Sequence, residues 1–238
     1  MSAKVGIVTG GTSGIGEAVA KELAKRGWQV AAMARSKVEK AFEGDVAEDA
    51  DCRRVAKAVL DKWGRIDALV NCAGTTKFVK HDDLEGLSAE DFLGIFRVNL
   101  VGPWQMIRAC APALKTSRGA VVNVSSVATV LGTGSSVAYA ASKAALETMT
   151  MSLARALGPE IRVNVVAPGY VKTPWQVAWH GEQGAEEAGR RYAALAPLKA
   201  AAEAQDAAEA IAWLIESARR ITGQIVYVDG GMHIAVPR

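Results

Sequence analysis

The chain has 238 residues, with 28 Lys plus Arg against 25 Asp plus Glu and a formal net charge of +3. Half of the residues are hydrophobic and 22% are charged, which excludes a disordered polymer, and no apolar run approaches the ~18 residues of a membrane-spanning helix. The charges are scattered rather than gathered into a basic stripe, so neither nucleic acid nor a membrane is an expected partner.

Val5–Thr9 reads as a short strand, followed by a glycine loop and a helix over about 15–26. In that helix Ile15, Val19 and Leu23 recur at i, i+4 and i+8, as one buried stripe does. Gly27 ends the helix and Gln29–Ala34 reads as the second strand. A short third strand is expected within 41–46, a helix over Asp49–Trp63 and a strand over 66–72. Ser88-Ala-Glu-Asp91 has the form of a capping box with Asp in place of Glu. It opens a long helix towards residue 113, which Pro103 should kink. Further strands are expected at 120–125, 162–167 and 224–228, and a helix at 139–157. Two more helical stretches fall between residues 173 and 219, and the alanine-rich run 193–212 reads as helix.

Near-continuous apolar strands suit a parallel sheet covered on both faces. Their alternation with helices predicts an α/β fold: one doubly wound domain over 1–238, a parallel sheet of about seven strands with helices on both faces. Met1-Ser2-Ala3-Lys4 runs into the first strand without an apolar leader, so a cytoplasmic location is expected. Cys52, Cys72 and Cys110 show no C-x-x-C spacing and read as small buried hydrophobes. His81, His180 and His233 have no neighbour at ligand spacing, and no metal is expected.

Thr9-Gly-Gly-Thr-Ser-Gly-Ile-Gly16 lies between the first strand and the first helix. Glycines there allow a tight turn and close approach of a pyrophosphate to a helix N-terminus. The spacing G-x-x-x-G-x-G differs from the commoner G-x-G-x-x-G. Tyr139-Ala-Ala-Ser-Lys143 puts a phenol and an ammonium at i and i+4 on one helix face. A free tyrosine titrates near pH 10, so nearby positive charge is needed for it to exchange protons near neutrality. Taken alone, such a pair is more readily a solvated helix face. Ser125-Ser126 ends an apolar strand at the carboxyl edge, where open α/β sheets bind ligands.

In this order the motifs resemble the short-chain dehydrogenase/reductase family over nearly the whole chain. Thr9-Gly10-x-x-x-Gly14-Ile15-Gly16 is similar to the family's cofactor loop, with Thr12 and Ser13 inside it, and Asp45-Val46 to the pair that holds the adenine. Asn71-Cys-Ala73-Gly74 corresponds to N-N-A-G, with Cys72 replacing the second Asn. Asn99-Leu-Val-Gly102 corresponds to the segment of the family's catalytic Asn. Tyr139 and Lys143 fit Y-x-x-x-K, and Ser126 stands at the family's interval before Tyr139, which favours it over Ser125. Pro168-Gly169 with Val171 and Thr173 is similar to the segment that contacts the nicotinamide. Two departures stand out: Ala200-Ala-Ala-Glu-Ala-Gln-Asp206 lacks a Gly and a Pro common there, and the chain between the second strand and Asp45 leaves little room for a helix.

The resemblance implies an oxidoreductase that moves a hydride between a nicotinamide cofactor and a carbonyl or secondary alcohol. Tyr139 would be the general acid or base, Lys143 its modulator, Ser126 the donor to the substrate oxygen and Asn99 the holder of a relay water. Ala34 stands where an NAD-specific relative carries an acid, and Arg35 with Ser36 and Lys37 follows. A guanidinium there forks onto a 2′-phosphate, so NADP(H) is the expected cofactor, with NAD(H) the alternative. The expected substrate is a 3-oxoacyl thioester or related ketone. The alternatives are an NAD(P)-dependent alcohol or sugar dehydrogenase and a non-catalytic nucleotide sensor. Thr75, Thr76, Val127, Val137, Tyr170 and Val171 are expected to line the substrate pocket, under a lid over about 171–200. Trp175 and Trp179 read equally as pocket or as packing residues. Arg190, Arg191 and Lys199 are candidates for an acidic carrier, although a solvated helix face is the commoner explanation of such residues. The family also implies a homotetramer.

Overall fold

Residues 3–235 are described by a computed structural model, in which the apolar runs of the sequence pair in parallel into a seven-stranded sheet. The strands are β1 (Val5–Thr9), β2 (Gln29–Ala34), β3 (Phe42–Glu43), β4 (Ala68–Asn71), β5 (Ala120–Val124), β6 (Arg162–Pro168) and β7 (Ile225–Val228). Their spatial order is β3-β2-β1-β4-β5-β6-β7, so the order reverses between β1 and β4.

Period-two alternation along the strands divides the core between the two faces. Val5 and Ile7 of β1, Leu69 of β4, Val121 of β5 and Val163 of β6 enter one cluster; there they meet α2 (Asp49–Trp63) and α4 (Gly102–Ser117) through Val55, Val59, Met106, Ile107 and Leu114. Val8, Val70, Val122 and Val166 enter the other, against α1 (Gly14–Lys25) and α8 (Ala204–Glu216) through Val19, Leu23, Ile211 and Leu214. Each fully buried aliphatic side chain contributes about 1.5–3 kcal/mol relative to exposure. Arg162, at the start of β6, donates to the carbonyls of Leu214, Ile215 and Ala218, so its cation caps the C-terminus of α8.

The stretch expected as one helix from Ser88 is three pieces. α3 (Ala89–Phe96) opens with the capping box, Ser88 accepting from the Asp91 amide at 3.1 Å. A π-helical turn, Arg97–Val101, follows, and α4 begins at Gly102, which places Pro103 in its first turn, where no amide is required. The break therefore precedes the proline. Gly102 is needed there: a Cβ would lie 2.8 Å from the Val46 side chain.

The expected helix over 193–212 is likewise interrupted. α7 (Pro174–Leu195) stops at Leu195, and a turn over 196–199, with the Lys199 amide donating to the Ala196 carbonyl, is followed by a short stretch with the Ala202 bridge before α8. Pairing prevails over alanine propensity here, because Ala202 bridges Val171 in parallel and the Leu198 amide donates to the Gly230 carbonyl. Between β2 and β3 there is no helix, as the short spacing implied. The short α5 (Ala128–Leu131) and a 3-10 turn, Met232–Ile234, had no counterpart in the sequence pattern; α6 spans Val137–Leu157.

Candidate active site

The carboxyl ends of β1 and β4 diverge at the reversal of strand order, the position where open α/β sheets take ligands. A cleft of about 510 Å³ begins there. The loop after β1 supplies Gly10, Thr12 and Ser13 to it, and the first turn of α1 supplies Gly14, Ile15 and Gly16. Gly16 lies on the first turn of α1 so close to the loop that a Cβ would sit 2.2 Å from the Gly10 carbonyl oxygen. Gly14 has φ of 53°. This backbone holds the N-terminus of α1 open towards the cleft, as an anionic pyrophosphate requires.

The outer end of the cleft is lined by Arg35 and Ser36 after β2 and by Asp45 and Val46 after β3. Arg35 is exposed, and no ion pair to it occurs among the described residues. The inner end takes Ala73 and Gly74 after β4, and Pro168, Gly169, Val171 and Thr173 after β6. Thr9 Oγ1 accepts from the amides of Cys72 and Ala73 at 3.1 Å each, which ties the two loops together. Asn71 is placed elsewhere. Its side chain lies between β4 and β5, with Nδ2 donating to Asn123 Oδ1 at 2.8 Å, while its own Oδ1 is buried without a partner.

Tyr139 and Lys143, one turn apart on α6, face the inner end together with Ser126. Lys143 is 4% exposed, its Nζ donating to the Val124 carbonyl at 2.8 Å and lying 5.8 Å from the Tyr139 ring centre. Burial depresses its ammonium to about 8, and burial also pushes the Tyr139 phenol up to about 12, against the opposing pull of a hydrogen bond with Ser126. The phenol of the free protein is therefore neutral at ordinary pH. Ser125 points away from it, donating to Glu147 Oε1 at 2.7 Å, so Ser126 is the serine beside the phenol.

Asn99 sits in the π-helical turn, fully buried, and both ends of its amide are engaged. Oδ1 accepts from the Thr75 amide at 2.8 Å, and Nδ2 donates to the Thr75 carbonyl and to Ser142 Oγ at 2.9 Å each. Gly74 lies between Asn99 and Lys143: a Cβ there would be 3.5 Å from Asn99 Oδ1 and 3.7 Å from Lys143 Nζ. The side chain thus fixes the strand-end loop across from Lys143.

Two features of the site escape the motifs. Glu147, one turn beyond Lys143 on α6, is 8% exposed and accepts from both Ser125 and Thr129, the latter at 3.1 Å. Thr129 also donates to the Ser126 carbonyl, so Glu147 clamps the turn that carries Ser126 to the helix that carries Tyr139. The i, i+4, i+8 spacing of Tyr139, Lys143 and Glu147 is the signal that was available. Phe78 is the second, a ring in the loop after β4 with no motif around it.

Of the expected substrate-side residues, Thr75, Val127, Tyr170 and Val171 line the cleft or the cavity adjoining it. Thr76 instead hydrogen-bonds Ser135 at 2.8 Å, and Val137 is exposed on α6. Trp175 lines both spaces and Trp179 the second. Arg190 and Arg191 pair with Glu186 and Glu187 one turn back, and Lys199 donates to the Ala194 carbonyl, as on a solvated face. Cys52 and Cys110 are buried and Cys72 is half-buried, its thiol pushed up to about 11 by burial. Among the described residues no cluster of His, Cys, Asp and Glu suits a metal ion, and no helix is long and apolar enough to cross a membrane.

A family model described as enoyl-(acyl carrier protein) reductase matches residues 10–233. A protein assigned as ketoacyl reductase 2 of the granaticin polyketide synthase of Streptomyces violaceoruber is 37% identical, over 98% of this chain and 97% of its own length. The 3-oxoacyl-(acyl-carrier-protein) reductase of Thermotoga maritima is 34% identical over 98% of this chain and 99% of its own. Among solved structures, the aldohexose dehydrogenase of Thermoplasma acidophilum superposes with a TM-score of 0.91 at 30% identity, covering 100% of this chain and 96% of that one. The glycine loop lies at the strand reversal, with serine, tyrosine and lysine at the same edge, and the matching family and relatives make the chain an oxidoreductase. The chain belongs to the short-chain dehydrogenase/reductase family.

Proposed function

We propose that the chain reduces a ketone with NADPH and that its substrate class is the 3-oxoacyl thioester. The observation that carries the reading is the meeting of Ser126, Tyr139 and Lys143 at the inner end of a cleft whose outer end holds Arg35. The residues suit a dinucleotide: the crowded Gly16 backbone leaves the α1 N-terminus open for a pyrophosphate, and Ala34 offers no carboxylate to repel a 2′-phosphate beside Arg35. When bound, the cofactor supplies the hydride.

The protein's own groups supply the proton and its control. Ser126 Oγ donates to the carbonyl oxygen of the substrate and orients it. Tyr139 Oη gives its proton to that oxygen as the carbonyl carbon becomes a secondary alcohol carbon. The Lys143 ammonium stabilises the phenolate left behind, which regains a proton from solvent. The phenol, pushed up to about 12 by burial, holds the proton that this step uses. The relatives support the substrate class: two are named as ketoacyl or 3-oxoacyl reductases, and a 3-ketoacyl-(acyl-carrier-protein) reductase of Brucella melitensis, 29% identical with a TM-score of 0.86 and covering 98% of this chain and 99% of that one, was solved with NADH.

The test is parallel consumption of NADPH and NADH with a short 3-oxoacyl thioester, in the wild type and in Arg35→Asp. NADPH is expected to be preferred in the wild type, and the preference to shift towards NADH by about 10-fold or more in the variant, since one charge-assisted contact becomes a repulsion. An unchanged ratio removes Arg35 from the phosphate site. Oxidation of an aldose with no reduction of the thioester would give the site to the sugar dehydrogenase reading. The same proposal has the chain acting as a tetramer in the cytoplasm, with residues about 171–200 as a lid. Leu93 and Val101 on the α3 side, Trp104 on α4 and Met151 on α6 are large apolar side chains exposed on a lone chain. Sedimentation velocity is expected to show a four-chain species; a monomer at micromolar concentration contradicts it.

A further inference from the structure

A second cavity, of about 970 Å³, adjoins the cofactor cleft; Ser126, Tyr139, Gly169, Trp175 and Gln176 border both. One wall of it is aromatic. Phe78 lies face to face with Trp179, ring centres 4.4 Å apart and planes at 8°. Trp175, one turn earlier on α7, meets Phe78 edge-on at 6.1 Å and Tyr139 edge-on at 5.8 Å. The rings thus run without a break from the phenol outwards. Trp175 and Trp179 nonetheless remain 39% and 55% exposed. Both rings also line the cavity, so apolar ring surface borders its open space. Elsewhere in the lining, Tyr170 and Tyr192 spend their hydroxyls on the carbonyls of Ala185 and Asp229 and so offer ring surface.

We propose that the group attached to the reacting carbonyl is a planar aromatic or conjugated ring, seated against the wall of Trp175, Phe78 and Trp179. The inference rests on the ketone-reductase reading and narrows it to aryl or fused-ring ketones. A flat ring gains offset-stacked and edge contacts beyond the area it buries, and it loses few torsions on binding. A straight acyl chain gains area alone and must be ordered along the same wall. The ketone carbon takes a hydride from the cofactor and its oxygen takes the Tyr139 proton, so the ring itself is not altered and serves only for recognition.

The test compares kcat/KM, at saturating NADPH, for the N-acetylcysteamine thioesters of 3-oxo-3-phenylpropanoate and 3-oxobutanoate in the wild type, Trp179→Leu and Phe78→Leu. The wild type is expected to favour the phenyl substrate on the order of 10-fold, mostly through KM. In both variants this ratio should fall towards unity. Absence of a phenyl preference in the wild type, or a ratio unchanged in both variants, overturns the proposal while leaving the reductase reading intact. If neither thioester is reduced, that reading fails, and calorimetric titration of the protein with NADP+ and 3-hydroxy-3-phenylpropanoyl-N-acetylcysteamine decides the wall separately. Saturable binding weakened about 10-fold in Trp179→Leu supports it; no binding, or equal binding in the variant, overturns it. Circular dichroism of both variants checks that the fold is retained.

Discussion

Lys143 is the residue at which the site acts most strongly against the fold. Its ammonium is buried beside the Val124 carbonyl and is depressed to about 8 from 10.5, chiefly by loss of solvent. Between those two values the unfolded chain binds a proton that the folded chain does not, so stability from this group rises with pH over roughly that window. The folded state carries the full penalty below pH 8 and is relieved of it by about pH 10.5. The gain over the whole window is about 3 kcal/mol, and Lys143→Met should lack it. Tyr139 acts in the opposite sense only above pH 10, where its raised value makes the folded state hold the extra proton. The check is the slope of Tm against pH from 7.5 to 10 for the cofactor-free wild type and the Met variant. The slope matters rather than the level, because the variant also leaves the Val124 carbonyl without its donor. Parallel slopes would mean that Lys143 titrates at its ordinary value. The spacing of Glu147 puts it on the helix face of Tyr139 and Lys143, but its role was not legible from that: a glutamate on a helix reads as solvated, and nothing local says that Ser125 and Thr129 arrive from another element to hold it.

At the scale of elements, legibility followed the range of the forces involved. Strands and helices with one apolar stripe, such as Gln29–Ala34 and Asp49–Trp63, have the limits that the periodicity implied, because burial on a sheet face selects the same residues that the pattern shows. The glycine loop and the Tyr139–Lys143 pair were legible because their geometry lies within a few consecutive residues. The π-helical turn was not. A turn of that kind shifts the register by one residue, which a stripe of period 3.6 over eight residues does not register, and its support is the pairing of Asn99 with Thr75, 24 positions earlier. The alanine-rich run failed for the same reason, since the Val171–Ala202 bridge and the Leu198–Gly230 contact are non-local. Phe78 shows the limit most plainly, because only the folded chain places it on Trp179.

Across the whole molecule, the parts that bind and the parts that hold are built to different strengths. The sheet carries β1, β4 and β5 with every residue buried, and α8 seals its face with six buried side chains. α7 is nearly twice as long as α8 yet buries Ala185 alone, and it is broken inside by Gly181 at φ 69°. Its first turn, Pro174, Trp175 and Gln176, borders the cleft at the strand reversal. Local opening free energy follows buried apolar contact, so α7 should open far more readily than the sheet. Amide hydrogen exchange is expected to show α7 exchanging at least 10-fold faster than β5 and α6 in the free protein, and slowing when NADP+ is added. Slowing confined to residues 173–180 would show the cofactor ordering the near half across the Gly181 break. Exchange in α7 as slow as in β5 before any addition would mean that α7 is a fixed wall, and that substrate enters without its movement.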